Sequence, residues 1–251
     1  MPKFNKDDLN EGLESFNLKT SHYGFSATRL DDLDSSEYSL VTLLVDDSPS
    51  MGGFVPQVTK MLSTIVEACQ KSPRKDNLML RLCSFSSHFN EIHGFKRLQA
   101  IKPSDYDNVL GKAGQMTALF DAAENGISAT AAYGKHLMEN DYSVNGIVFI
   151  ITDGQDNISK QSPAAVKDAL ALATKQENLE SIVSILIGVN AAGDLDQWLG
   201  TFKTEAGITQ YISIGDANPG KLAKLAEFVS KSISAQSQSL NSGSASTPLT
   251  F

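Results

Sequence analysis

An aspartate pair and two spaced hydroxyls, Asp46-Asp47-Ser48-Pro49-Ser50, stand directly behind an apolar, β-branched run at residues 40–45. Two glycines, Gly52 and Gly53, close the stretch. Carboxylate and hydroxyl oxygens on one tight turn form an all-oxygen surface, the donor set suited to a hard divalent cation such as Mg²⁺. A second apolar run, residues 145–152, also ends on a carboxylate, Asp153, in the string ITDGQDN. Thr117 offers a further hydroxyl where a helical pattern begins, behind the glycine-containing loop GKAGQMT. Cation binding is the chemistry these residue types support, and it requires three separate segments to meet.

The elements that must bring them together are legible from hydrophobic spacing. Runs such as 40–45 and 145–152 read as strands buried on both faces, as in a parallel sheet. The turn after the carboxyl end of such a strand is where open α/β sheets place their ligands. Residues 54–70 carry Val55, Val58, Met61, Leu62, Ile65 and Val66 at helical spacing, stopped by Lys71-Ser72-Pro73. Residues 77–87 alternate as a second strand, and residues 89–98 follow as its hairpin partner. A loop over 99–116 leads into an alanine-rich helix from Thr117. Strands at 145–152, 181–189 and 210–214 then alternate with helices at 163–176, 195–206 and 219–234. Crossovers of that length imply a mainly parallel sheet. The expected fold is one doubly wound, Rossmann-like α/β domain, six strands flanked by helices, with residues 89–98 as an antiparallel edge strand. It spans residues 37–234, between an N-terminal arm (1–36) packed on it and a Ser-rich tail (235–251) expected to be disordered. Within the arm, residues 7–16 read as a short polar helix and 22–30 as an edge strand.

Taken together, Asp46-x-Ser48-x-Ser50, Thr117 in GQMTALFDA and Asp153 in FIITDGQDN resemble the von Willebrand factor A family with its metal-ion-dependent adhesion site. That site reads D-x-S-x-S, then a distant Thr, then a distant Asp, and all five positions are filled in order. The resemblance covers residues 37–234. It implies that Ser48, Ser50 and Thr117 are hydroxyl ligands, and that Asp46 and Asp153 bind directly or through water. The metal would be Mg²⁺, with Mn²⁺ or Ca²⁺ as alternatives. An open coordination position would then accept an Asp or Glu of another protein, making the site a socket rather than a catalyst. Single-domain prokaryotic members of the intracellular branch act as adaptors, for example beside MoxR-type AAA+ ATPases or in tellurium-resistance-type gene clusters. The sequence departs from the family pattern at Pro49, where glycine is common, and at Asp47, an extra carboxylate read either as a hydrogen-bond acceptor behind the ligands or, in preference, as solvated. The alternative function is a structural or assembly protein in which metal only braces the loops. There the arm and the tail, with Leu249 and Phe251, would make the contacts.

Other chemistries fail on particular residues. The string LLVDDSPSM resembles the first strand of receiver domains, but residues 80–92 lack the phosphoacceptor aspartate. Ser48 stands where a haloacid-dehalogenase phosphatase needs its second Asp, and no phosphate-binding P-loop string occurs. A hydrolytic triad lacks a nucleophile elbow, and no histidine is expected in a strand-end loop near the acids. Cys83, His88 and His93 are evenly spaced by five, which alternates faces on a strand and does not suit zinc. No enzyme activity is therefore expected. Asp156 and Asn157 are expected to cap the next helix or brace the loop, Trp198 to pack locally, and His22 and His136 to lie on the surface. The net charge of −8 gives no basic footprint for nucleic acid or anionic membrane. No apolar run approaches the roughly 20 residues of a membrane span. The opening MPKFNKDDLNEGL lacks the apolar core of a signal peptide. With Cys69 and Cys83 read as core thiols, a cytoplasmic location is expected.

Overall fold

The structure is a computed structural model describing residues 12–18, 23–111, 114–175, 178–215, 218–242 and 248–251. Its sheet holds the strands β1 (Leu13–Phe16), β2 (Phe25–Thr28), β3 (Glu37–Asp46), β4 (Leu78–Phe85), β5 (Phe89–Arg97), β6 (Ser143–Thr152), β7 (Ser181–Val189) and β8 (Gln210–Ile214). They lie in the order β1-β2-β5-β4-β3-β6-β7-β8. From β4 through β8 every pairing is parallel, so β3 has β4 on one side and β6 on the other. This is the switch point at which doubly wound sheets open a crevice beyond their strand ends.

Alternation along β3 decides which helices cover which face. Val41, Leu43 and Val45 point to one side, where they meet α1 (Val55–Gln70) and α5 (Pro219–Ser242) through Val58, Leu62, Ile65, Leu225 and Val229. Leu44 points to the other, against Leu119, Ala123 and Ile127 of α2 (Leu119–Met138). The helices α3 (Pro163–Lys175) and α4 (Asp194–Ala206) complete that face. A side chain at Gly126 would stand 2.6 Å from the Leu44 side chain, so glycine lets α2 approach the sheet.

The doubly wound, mainly parallel architecture matches expectation, but the sheet has eight strands rather than six. The antiparallel strand β5 is not an edge, because the arm adds β2 parallel to it and β1 antiparallel to β2. Residues Leu13–Phe16 are strand, not helix, while residues 7–11 and His22 lie outside the described residues. Four-residue strands are too short to carry a periodic signal. Burial of Phe25 and Ala27 and stacking of Phe16 on Phe25 (ring centroids 4.9 Å apart) hold the arm instead. The helix from Thr117 begins at Leu119. At the other end, α5 runs to Ser242, past the expected stop at Ser234. Gln236 explains the extension: its side chain donates to the Gly146 carbonyl at 3.0 Å, and its own carbonyl accepts from Asn145 at 2.6 Å. The serines there are compatible with helix because that face docks. Further on, Leu249 packs against the core and Phe251 meets the Phe228 ring edge-on. Tail residues 243–247 lie outside the described residues. Cys69 and Cys83 are both buried free thiols.

Candidate metal centre

Strand pairing delivers the two aspartates. β3 and β6 run in register to Val45 opposite Ile151, so Asp46 ends one strand while Asp153 follows the end of its neighbour. Beyond Asp46 the chain turns into a short 3₁₀ segment, Pro49–Gly53, with Pro49 at its start, where a fixed φ and a missing N–H are tolerated. That turn directs both serines back to the sheet edge. The Ser48 and Ser50 hydroxyls lie 3.0 Å apart, and the Ser50 hydroxyl donates to Asp153 Oδ1 at 2.8 Å. Asp46 Oδ1 accepts the Ser48 backbone N–H at 2.8 Å, and its Oδ2 accepts the Thr152 hydroxyl at 2.6 Å.

Thr117 arrives from the third segment. A Cβ built on Gly154 would sit 3.6 Å from Thr117 Oγ1 and 3.8 Å from Asp46 Oδ2, so both oxygens border one point beside that glycine. The loop is held by a reciprocal clamp: Asn157 Oδ1 accepts the Thr117 N–H at 2.8 Å, and the Asn157 N–H donates to the Thr117 carbonyl at 3.1 Å. Asp156 accepts the Phe120 N–H at 3.1 Å, capping α2 rather than the helix that follows it in sequence. The five expected residues are thus brought to one sheet edge. Asp46, Ser48 and Thr117 are buried, and Ser50 opens to solvent.

Burial raises the carboxyl pKa of Asp46 to about 6, against the lowering effect of the hydrogen bonds from Thr152 and Ser48. Burial likewise raises Asp153. Among the described residues neither is paired with a cation. Among those residues, too, no group of three or more His, Cys, Asp or Glu could hold a metal. The donors here are mostly neutral hydroxyls, and that chemistry fits a hard oxygen-seeking divalent ion.

Three residues behave differently from expectation. Asp47 is buried, not solvated: its Oδ1 accepts the Gly111 N–H at 2.6 Å, and its N–H donates to the Phe85 carbonyl at 2.8 Å. The bond from Gly111 holds the turn after β3 against the loop beyond β5. His88 sits in the β4–β5 turn at this same sheet edge with its side chain exposed, contrary to the expectation that no histidine would. His136 is half-buried, its ring edge-on to Phe16. Thr152 and Asn157 complete the set that sequence reasoning missed or left general. The hydroxyl of Thr152, directly before Asp153 in ITDGQDN, was the available signal for Thr152. Trp198 packs locally, stacked on Phe120.

The chain belongs to the von Willebrand factor type A domain family, whose profile matches residues 41–231. No curated protein matches it. Among solved structures, proximal thread matrix protein 1 from the mussel byssus superposes with a TM-score of 0.56 at 20% identity, over 80% of this chain and 47% of its own. The same protein with a zinc-occupied MIDAS motif gives 0.51 at 17% identity, over 78% and 48%. The PilB minor pilin from Streptococcus sanguinis gives 0.55 at 14% identity, over 83% and 64%. This chain spans about half the length of the mussel protein, and the likeness shows the fold. Among the described residues no helix is long and apolar enough to cross a membrane.

Proposed function

We propose that the chain is a metal-dependent protein-binding module. Ser48, Ser50 and Thr117 would hold a divalent ion through their hydroxyls, with Asp46 and Asp153 bound directly or through water. When bound, the ion supplies a Lewis-acidic position on its open side for an Asp or Glu of another protein. The observation that carries this reading is a pair of burial-raised carboxylates joined by neutral hydroxyls, with no cation beside them among the described residues. The protein's own groups do the rest. Thr152 orients Asp46, the Asn157 clamp fixes Thr117, and Asp47 ties the turn to the neighbouring loop. Mg²⁺ is the natural occupant for such oxygens, and the mussel protein's zinc supports a divalent ion at this motif. The partner is a separate protein such as an AAA+ ATPase, and nothing in the site performs a reaction. The free buried thiols favour a cytoplasmic setting.

Affinity capture from source lysate in Mg²⁺ and in EDTA tests this. Capture lost in EDTA and in Asp46→Ala, with melting little changed, supports the adaptor. Capture that survives both favours a structural or assembly role, the reading prompted by the likeness to a thread matrix protein and a pilin.

A further inference from the structure

Four large apolar side chains are exposed among the described residues: Met116 (36%), Ile158 (45%), Leu172 and Phe251. Met116 immediately precedes Thr117, and Ile158 immediately follows Asn157, the residue clamped to Thr117 through two hydrogen bonds. These two therefore stand on adjoining loops at the rim of the proposed metal site. Singly exposed apolar residues need no explanation. A pair on loops whose backbone is tied down by side-chain hydrogen bonds is different, because its position is set in advance. The Ser87 hydroxyl accepts the N–H groups of Gln115 and Met116, each at 3.0 Å. The Ser159 hydroxyl accepts the Asp121 N–H at 3.0 Å and donates to Asp156. Ordering these side chains on binding thus costs little backbone entropy.

Charge decides what they must do. Residues 47–54, 114–118 and 153–159, which surround the site, contain no lysine or arginine, and Lys160, exposed, is the next residue of the last segment. A divalent ion would be offset by Asp46 and Asp153, so an incoming carboxylate meets little long-range attraction beyond the coordination bond itself. Discrimination between acidic partners then has to come from what flanks the carboxylate. We infer that Met116 and Ile158 form an apolar shoulder selecting a partner segment in which an Asp or Glu is followed closely by an aliphatic or aromatic side chain. This rests on the metal-site reading above and adds to it a chemical class of partner.

A panel of synthetic heptapeptides tests it, each with a central Asp or Glu flanked by Leu, Ile or Phe, or by Ser or Gln. Binding to the full chain is measured in Mg²⁺ and in EDTA, with Mg²⁺ uptake followed separately by calorimetry. Acid-plus-apolar peptides should bind about tenfold more tightly than acid-plus-serine peptides, a difference expected from burying one such side chain. Raising NaCl should change that ratio little. Met116→Ser with Ile158→Ser should erase the preference while Mg²⁺ uptake persists. Metal-dependent binding of all acidic peptides alike would overturn the shoulder and leave the metal reading standing. Mg²⁺ uptake with no peptide bound, or with the chain associating only with itself, would also overturn it. Absence of Mg²⁺ uptake would remove the underlying site and the shoulder with it.

Discussion

Two buried carboxylate clusters in this molecule are solved in opposite ways. Glu91, on β5, has its charge met internally. Its Oε2 accepts Arg81 Nε at 2.6 Å, and its Oε1 accepts the Ser26 N–H at 2.9 Å and hydroxyl at 2.7 Å. Arg81 is fully buried, reaches Asn125 at 3.1 Å, and lies within 6 Å of the Phe25, Phe89 and Phe95 ring centroids. That network joins the arm to β4, β5 and α2, and gives the Glu91 carboxylate its cation from within the chain. Asp46 and Asp153 have hydroxyls and backbone donors but no cation beside them among the described residues. The contrast teaches that a buried carboxylate completed by arginine is a fastener, whereas one surrounded by neutral oxygens keeps its charge uncompensated within the chain, which is what the proposed metal reading would use. Desolvating a charge without a partner is costly, so the second arrangement needs a reason outside the chain.

Removing one partner of each cluster should separate them most sharply. Arg81→Met strands Glu91, and urea denaturation should show a loss of about 3–5 kcal/mol. Asp46→Asn removes a burdened charge and should cost far less. An equal loss in both would erase the distinction. Next in size is acid. Burial holds His93, two residues beyond Glu91, down to about pKa 4, with its ring bonded to the Gly94 carbonyl and to Tyr106. A depressed folded pKa means that the stability is present above about pH 6.5 and lost as pH falls toward 4. The loss is on the order of 3 kcal/mol and should be read as a falling denaturation midpoint. His93→Gln should flatten that slope, placing acid sensitivity on the fastened side of the molecule. Smaller still, saturating Mg²⁺ at a hundred times its Kd should add about 2.7 kcal/mol to the wild type. It should add none to Asp46→Asn, while Arg81→Lys should respond to the ion as the wild type does. Last, Asn157→Ala loosens Thr117 without removing a ligand, and should weaken Mg²⁺ binding by roughly 10- to 100-fold in a calorimetric titration.

Much of this was legible because it was written in long periodic runs. Residues 40–45 and 145–152 showed both the parallel strands and the aspartates that end them, and the register of β3 with β6 follows from two such runs lying side by side. The five site residues were readable as oxygen donors at loop positions. What was hidden depended on pairing across the chain. The arm strands are four residues each, and one buried glutamate reaches β2 from 65 positions away. Asp47 looked like a solvated acid because only the fold brings the Gly111 N–H to it. Asn157 was readable as a loop brace, but its partner, Thr117, lies 40 residues earlier and only the fold brings the two together. Likewise, the tail read as disordered because serine-rich composition hides the few side chains, Gln236 among them, that dock α5 as far as Ser242.

The claim underneath all of this is that one divalent ion seats where Asp46, Ser48, Ser50, Thr117 and Asp153 converge. Titration of the full chain with Mn²⁺, followed by the loss of its free-ion electron paramagnetic resonance signal, tests that directly. A single saturable site that disappears in Thr117→Val is the predicted result. A free-ion signal undiminished by the protein, or uptake unchanged in that variant, would contradict it.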